Sequence, residues 1–185
     1  GGGIYSFLDS EPIFNNVNII QNTAIYDGGG IKINWAGAIF TNVNINNNSA
    51  GTKGGGIYID QYSTNLLTNV NINDNIAGIK GGGIYFHNDY NTTLTNISII
   101  GNEAGEVGGG IYLNDSSPIF LNATISQNVT DSVGSAIYDV MSTAFPTFTN
   151  SIIWDNNIDP IFYWGGAIPY ITYSNIQYGW AREGY

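Results

Sequence analysis

The sequence predicts an all-β chain wound as a parallel β-helix (solenoid), with about seven coils of about 26 residues and three short strands per coil. Three observations carry this. Three consecutive glycines open the chain at Gly1 and return at Gly28, Gly54, Gly81 and Gly108, with a degraded copy at Gly134-Ser135-Ala136. The residues after each triplet alternate, as in Ile57-Tyr58-Ile59, Ile84-Tyr85-Phe86 and Ile111-Tyr112-Leu113. Two asparagines six residues apart then recur in six successive periods: Asn16/Asn22, Asn42/Asn48, Asn69/Asn75, Asn96/Asn102, Asn122/Asn128 and Asn150/Asn156.

The glycines come first in the period. Three together lose much backbone entropy on folding, so they belong where the chain needs positive φ or where two backbones approach closely, at the turn from one coil into the next. The alternation that follows marks a short strand with aliphatic residues on one face and tyrosine on the other. A variable polar stretch such as Asn114-Asp115-Ser116-Ser117-Pro118 is a loop, and a second short apolar segment, Ile-Phe at 13–14, 39–40 and 119–120, is the second strand. The first asparagine makes a bend. A third strand follows, as in Asn42-Val43-Asn44-Ile45, and the second asparagine makes the next bend. Stacking coils at the ~4.8 Å inter-strand spacing turns each column into a ladder, in which an amide bonds local backbone and its neighbour in the stack.

Composition narrows the function classes. The 43% hydrophobic and 10% charged content describes a folded, weakly charged body. A net charge of −10, with Lys32, Lys53, Lys80 and Arg182 as the only cations, leaves no basic stripe for phosphates, so nucleic acid is not an expected partner. No apolar run approaches the ~20 residues of a membrane-spanning helix, so no membrane insertion of this segment is expected. There are no cysteines, which excludes disulfides and thiolate sites and fits an extracellular bacterial protein.

The Gly-Gly-Gly-Ile-Tyr starts, with Ile-Asn-Asn-Asn-Ser-Ala at 45–50 and Ile-Asn-Asp-Asn-Ile-Ala at 72–77 leading to the next glycines, resemble the repeats of right-handed parallel β-helix proteins in the pectin-lyase-like superfamily. They are particularly similar to the Gly-Gly-Ala-Ile and Phe-x-x-Asn repeats of polymorphic outer-membrane and autotransporter passenger domains, with Ile in place of Phe. Ser-Ile-Ile-Trp-Asp-Asn at 151–156 and the stretch 171–180 also resemble closing repeats of large secreted β-helix proteins from environmental bacteria. The resemblance covers nearly the whole chain. It implies a right-handed coil, in keeping with the rule for parallel crossovers, and an extracellular or cell-surface bacterial location. It does not choose among lyases, hydrolases, adhesins and stalks, which share the scaffold.

Four groups of residues are candidates for function. Asp60, His87, Asp89 and Asp115 fall in the loop after the first strand of neighbouring coils, where carboxylates beside a histidine suit acid–base cleavage of a polysaccharide or a Ca²⁺-assisted lyase. Against this, the resemblance implies paired aspartates for a hydrolase or an outward Arg or Lys for a lyase; the sequence has no Asp-Asp pair, and Arg182 lies far away. The tyrosine column, Tyr5, Tyr58, Tyr85, Tyr112 and Tyr138, interrupted by Lys32, is either a stacked ladder or a glycan-binding stripe. Glu103, Glu106 and Asp131 share a bend and are a weak divalent-cation candidate beside the plainer reading, an acidic rim. The asparagine columns are read as structural ladders.

The expected protein is therefore a non-catalytic secreted or surface segment, a rigid spacer, filament component or adhesin, without a cofactor. The alternatives are a polysaccharide lyase or hydrolase and a glycan-binding module. Glycans or other surface proteins are the expected partners. Residues 1–158 read as regular coils and 159–185 as an irregular final coil or cap, because both asparagine columns lapse there while Pro160, Trp164, Pro169 and Trp180 accumulate. Gly1 begins in mid-pattern, so the chain reads as part of a longer protein whose open coil faces join further coils or another copy.

Overall fold

The computed structural model describes residues 1–61, 63–140, 145–164 and 168–179. Among them there is no helix, and every strand pairing is parallel, each coil lying on the one before. Three sheets run along the stack, two of them over its whole described length and the third over five strands from Thr23–Ala24 to Val129–Thr130. The first contains the strands after the glycines, seven in chain order from Ile4–Phe7 through Ile57–Asp60, Ile84–His87 and Ile111–Asn114 to Ile161–Trp164. Register is strict: Ile57, Ile84 and Ile111 are partners, as are Asp60, His87 and Asn114.

The three-strand coil stands, with a different assignment of its strands. In the middle coils the two segments read as separate strands are one eight-residue strand: Ile39–Asn46, Leu66–Asn73, Thr93–Ile100 and Ile119–Ser126. The first-column asparagine sits inside each of these in the left-handed region, with φ of 52° at Asn42 and 55° at Asn69, Asn96 and Asn122. Asparagine tolerates that conformation better than any other non-glycine residue except its chemical relatives, so the chain bends without a break in the ladder. The third sheet consists of two-residue strands that follow the second asparagine, Thr23–Ala24, Ser49–Ala50, Ile76–Ala77, Glu103–Ala104 and Val129–Thr130. Two residues are too few to show alternation.

Within the segment 159–185, expected to be an irregular final coil or cap, the described residues 161–164 and 170–172 still extend the stack. Ile161–Trp164 pairs in register with Ile137–Val140, and Tyr170–Thr172 with Thr147–Thr149. Tyr173 takes the bend position with φ of 50°, which is why the asparagine column lapses without loss of the coil. Trp180 and Arg182 lie outside the described residues.

The interior is a set of apolar columns. Ile31, Ile57, Ile84, Ile111 and Ile137 form one; Phe40, Leu67, Leu94, Phe120 and Phe148 another; Ile45, Ile72, Ile99 and Ile125 a third, all fully buried. Each such side chain stabilises the fold by roughly 1.5–3 kcal/mol relative to exposure. The glycine triplet closes the coil for two physical reasons. Gly54 has φ of 64°, and Gly55 lies so close to the next coil that a Cβ there would sit 2.5 Å from the Ile76 carbonyl and collide with the oxygen of Gly82. One glycine supplies the turn and the next the close approach.

Candidate functional site

The two asparagine columns, alike in sequence, are physically opposite. The first lies on the surface and forms an exposed chain of amides: Asn42 Nδ2 donates to Asn16 Oδ1 at 3.1 Å, Asn69 to Asn42 at 3.1 Å, Asn96 to Asn69 at 3.0 Å, Asn122 to Asn96 at 2.9 Å and Asn150 to Asn122 at 2.6 Å. The second column is buried from Asn48 through Asn75, Asn102 and Asn128 to Asn156, with Asn22 half-buried at its head. Here Nδ2 of Asn48, Asn75, Asn102 and Asn128 donates toward the following coil, as Asn75 does to Asn102 Oδ1 at 3.0 Å, and to a carbonyl of the preceding coil, as Asn75 does to Ile45 at 2.8 Å. A further surface ladder, Asn71 to Asn44 at 2.8 Å and Asn44 to Asn18 at 2.7 Å, went unread because it gives way to Ser98 in the next coil.

Of the two readings of the tyrosine stripe, the geometry fits the stacked ladder. Its side chains point away from the main core, yet Tyr58, Tyr85 and Tyr112 are only 6%, 3% and 4% exposed and form a second apolar cluster with Val107, Tyr138 and Val140 packed on it. The rings stack at 5.1 Å, 4.9 Å and 5.3 Å from Tyr58 to Tyr138. Lys32, Lys53 and Lys80 place their ammonium groups 4.7–5.1 Å from the ring centroids of Tyr58, Tyr85 and Tyr112, a cation–π arrangement. Burial pushes the hydroxyls of all three tyrosines up from their ordinary range. Tyr5, which is exposed, is separated from this stack by Lys32, its register partner. The faces a sugar would need are already covered by neighbouring rings and lysine ammonium groups, so Tyr58, Tyr85 and Tyr112 have the geometry of a stacked ladder.

The acid–histidine edge is assembled only in part. Register places Asp60 beside His87, and Asp60 Oδ1 lies 2.7 Å from His87 Nδ1. Asn88 Nδ2 is 3.4 Å from His87 Nε2. With Nδ1–H donating to the carboxylate, Nε2 is left as an acceptor at the surface, the arrangement of an oriented general base. Asp89 does not join them. It is fully buried, its backbone N–H donates to Ser116 Oγ at 3.0 Å, and its carboxyl oxygens have no partner of hydrogen-bond geometry. Burial pushes it up to about 6, offset in part by the Thr92 hydroxyl and the amides of Asn91 and Thr92. Asp115 stands half-buried in the next loop with φ of 49°. Two open carboxylates flanking one bond are therefore not presented by this edge.

Glu103, Glu106 and Asp131 are all exposed, and among the described residues no three His, Asp or Glu groups converge on a cation site. A residue the sequence reading passed over is Asp139. It occupies the inward column of the first sheet, in register with Leu113, and is sealed from solvent with both carboxyl oxygens unpartnered. Burial pushes it up to about 7. The alternation of Ile137-Tyr138-Asp139-Val140 was the signal that would have found it.

Comparison with known proteins adds one finding. The family described as the right-handed beta helix region matches residues 2–176. No curated protein and no solved structure gives a significant match.

Proposed function

The chain belongs to the right-handed β-helix family, and on that scaffold we propose a non-catalytic role: a rigid spacer or filament segment of a secreted or cell-surface bacterial protein. One observation carries the reading. The columns that bear polar and aromatic chemistry are consumed in holding coil to coil, the second asparagine column inside and the tyrosine column under lysine and ring neighbours. A body built this way transmits load along its axis through parallel sheets, two of them continuous along the stack, and offers short loops. The extracellular setting rests on the resemblance of the glycine and asparagine repeats to those of secreted β-helix proteins.

A second reading rests on the Asp60–His87 pair, whose geometry suits an oriented base acting on a polysaccharide. Incubation with polyuronates and neutral polysaccharides separates the two. We expect no new reducing or unsaturated ends. Cleavage that disappears in both His87→Ala and Asp60→Asn, with the fold retained, would replace the spacer reading by the enzymatic one.

A further inference from the structure

One corner of the coil carries its charges sorted by sign. The corner follows the third-sheet strand and precedes the glycine triplet, and in successive coils it reads Gly51-Thr52-Lys53, Gly78-Ile79-Lys80, Gly105-Glu106-Val107 and Asp131-Ser132-Val133. Asp27, Lys53, Lys80 and Val107 are bridge partners in turn, so they form one column. Glu106 stands over Ile79, whose carbonyl accepts its N–H at 2.9 Å, and Asp131 follows Thr130, the register partner of Ala104. The Asp159 carbonyl accepts the Gly134 N–H at 2.9 Å, as the Lys53 carbonyl accepts that of Gly28, which places Asp159 in the lysine column of a later coil. Along the stack the corner is basic at Lys53 and Lys80, then acidic at Glu106, Asp131 and Asp159.

This order is unfavourable within one copy. Charges of one sign stand on neighbouring coils, ~4.8 Å apart at the backbone, where like charges repel. Among the described residues the ion pairs are Lys32–Asp27 and His87–Asp60, so neither lysine of this corner reaches a carboxylate. Both are nonetheless held in place. Lys53 Nζ lies 5.1 Å from the Tyr85 ring centroid and Lys80 Nζ 5.0 Å from that of Tyr112, and an ammonium over a ring keeps N–H donors for a further partner. Gly51 and Gly78 set no side chain beside them. Glu106, Asp131 and Asp159 are exposed.

We propose that a second copy of this chain packs antiparallel along this corner, about a two-fold axis that crosses it between Lys80 and Glu106. The axis brings Lys80 opposite Glu106 of the other copy and Lys53 opposite its Asp131, and symmetry repeats each contact. Both copies have the same coil spacing, so the rows meet one to one. A parallel, in-register arrangement would set lysine on lysine and carboxylate on carboxylate. At the outer end Asp159 faces Asp27, which Lys32 already neutralises at 3.1 Å. The net charge of −10 permits the approach, because in ~0.1 M salt charges more than about 10 Å apart are screened. Surface ion pairs are individually weak, so the dimer forms at sub-millimolar concentration. This goes beyond the spacer role, which one copy can fill: a monomer would overturn the dimer and leave that role standing.

The test is sedimentation velocity of the intact chain at sub-millimolar concentration in ~0.1 M and ~1 M sodium chloride. A dimer is expected in the first and a monomer in the second. The double variants Lys53→Glu/Lys80→Glu and Glu106→Lys/Asp131→Lys should each be monomeric in ~0.1 M salt, and an equimolar mixture of the two should regain the dimer. The acidic-to-basic variant brings the net charge of −10 closer to neutral, so non-specific association would rise in it while the paired dimer is lost. A parent that stays monomeric, a dimer that persists in high salt or survives either reversal, or a mixture that stays monomeric would overturn the proposal. Circular dichroism confirms that each variant keeps its coil. Glu106 and Asp131 are exposed, so their variant decides the matter where the lysine variant fails to fold.

Discussion

Replacing Asn75 by alanine removes one rung from the buried amide column and tests whether that column holds the coils together. Asn75 is fully buried. Its Nδ2 donates to the Ile45 carbonyl at 2.8 Å and to Asn102 Oδ1 at 3.0 Å, while its Oδ1 accepts the Asn48 backbone N–H at 2.9 Å and the Asn48 side-chain amide at 3.0 Å. Alanine leaves the Asn48 N–H and the Ile45 C=O without partners. Asn102 Oδ1 is less affected, because the Asn75 backbone N–H still donates to it at 3.0 Å. Each of these two buried groups left unpaired costs ~1–3 kcal/mol, so the loss is about 2–6 kcal/mol. For a chain of this size that lowers the melting temperature by about 10 °C. The control is Asn69→Gly in the exposed column. It removes the bonds to Asn42 at 3.1 Å and from Asn96 at 3.0 Å, but water replaces both and glycine accepts the φ of 55°, so under about 1 kcal/mol is lost. Far-UV circular dichroism melts of both variants measure the difference. An Asn75→Ala melt within about 2 °C of the parent, or an Asn69→Gly loss as large, would refute the assignment of load to the inner column.

Two other substitutions probe the interior. Asp139 is carried from an ordinary 3.8 to about 7 by burial, so the folded state binds a proton the unfolded chain has lost, and stability falls as pH rises through that window and levels off above it. The limiting cost is ~4 kcal/mol, which dielectric relaxation around the site reduces to roughly 2 kcal/mol. Asp139→Leu should therefore raise the melting temperature more at about pH 8 than at about pH 4, and equal gains at both would show that the carboxyl is not the cause. Gly55→Ala puts a Cβ against the Ile76 carbonyl at 2.5 Å and should give little soluble folded protein; a parent-like melt would mean that adjacent coils can move apart at this turn.

The fold was legible because stacking makes each structural demand recur. A glycine needed for positive φ at Gly54 is needed again at Gly81 and Gly108, where φ is 67° and 70°, and a column repeated in this way stands out from the background. What failed to register was mixed in chemistry or short. The turn just before each inner asparagine is held by Gln21, Asn47, Asp74, Gly101, Gln127 and Asp155, all at positive φ, and no single residue type marks it. That unseen turn swings the second asparagine inward, so nothing in the six-residue spacing told the buried column from the exposed one. Alternation likewise placed Tyr85 opposite Ile84 and Phe86, but the Lys53 that covers it arrives from the preceding corner, 32 positions earlier. The Asp60–His87 pair was legible as a column, since both stand at the same strand position. Asp89 was misplaced because loop residues follow no parity.

The departures from the repeat are therefore more informative about function than the repeat itself. Lys32 breaks the tyrosine column, yet it is matched by Asp27 Oδ2 at 3.1 Å and by the Tyr58 ring. His87 breaks its own column and is matched by Asp60. Each of these carries its compensation within the chain, and a ligand would have to displace a partner already in place. Asp89 and Asp139 are compensated only in part, by the Thr92 hydroxyl and nearby backbone amides, and both are sealed from solvent, so their effect falls on stability and its pH dependence. The loop at residues 35–38 departs in a third way, since its small residues border a groove lined also by Asp9 and Glu11, but the loop at 115–118 is equally short, so length alone does not single it out.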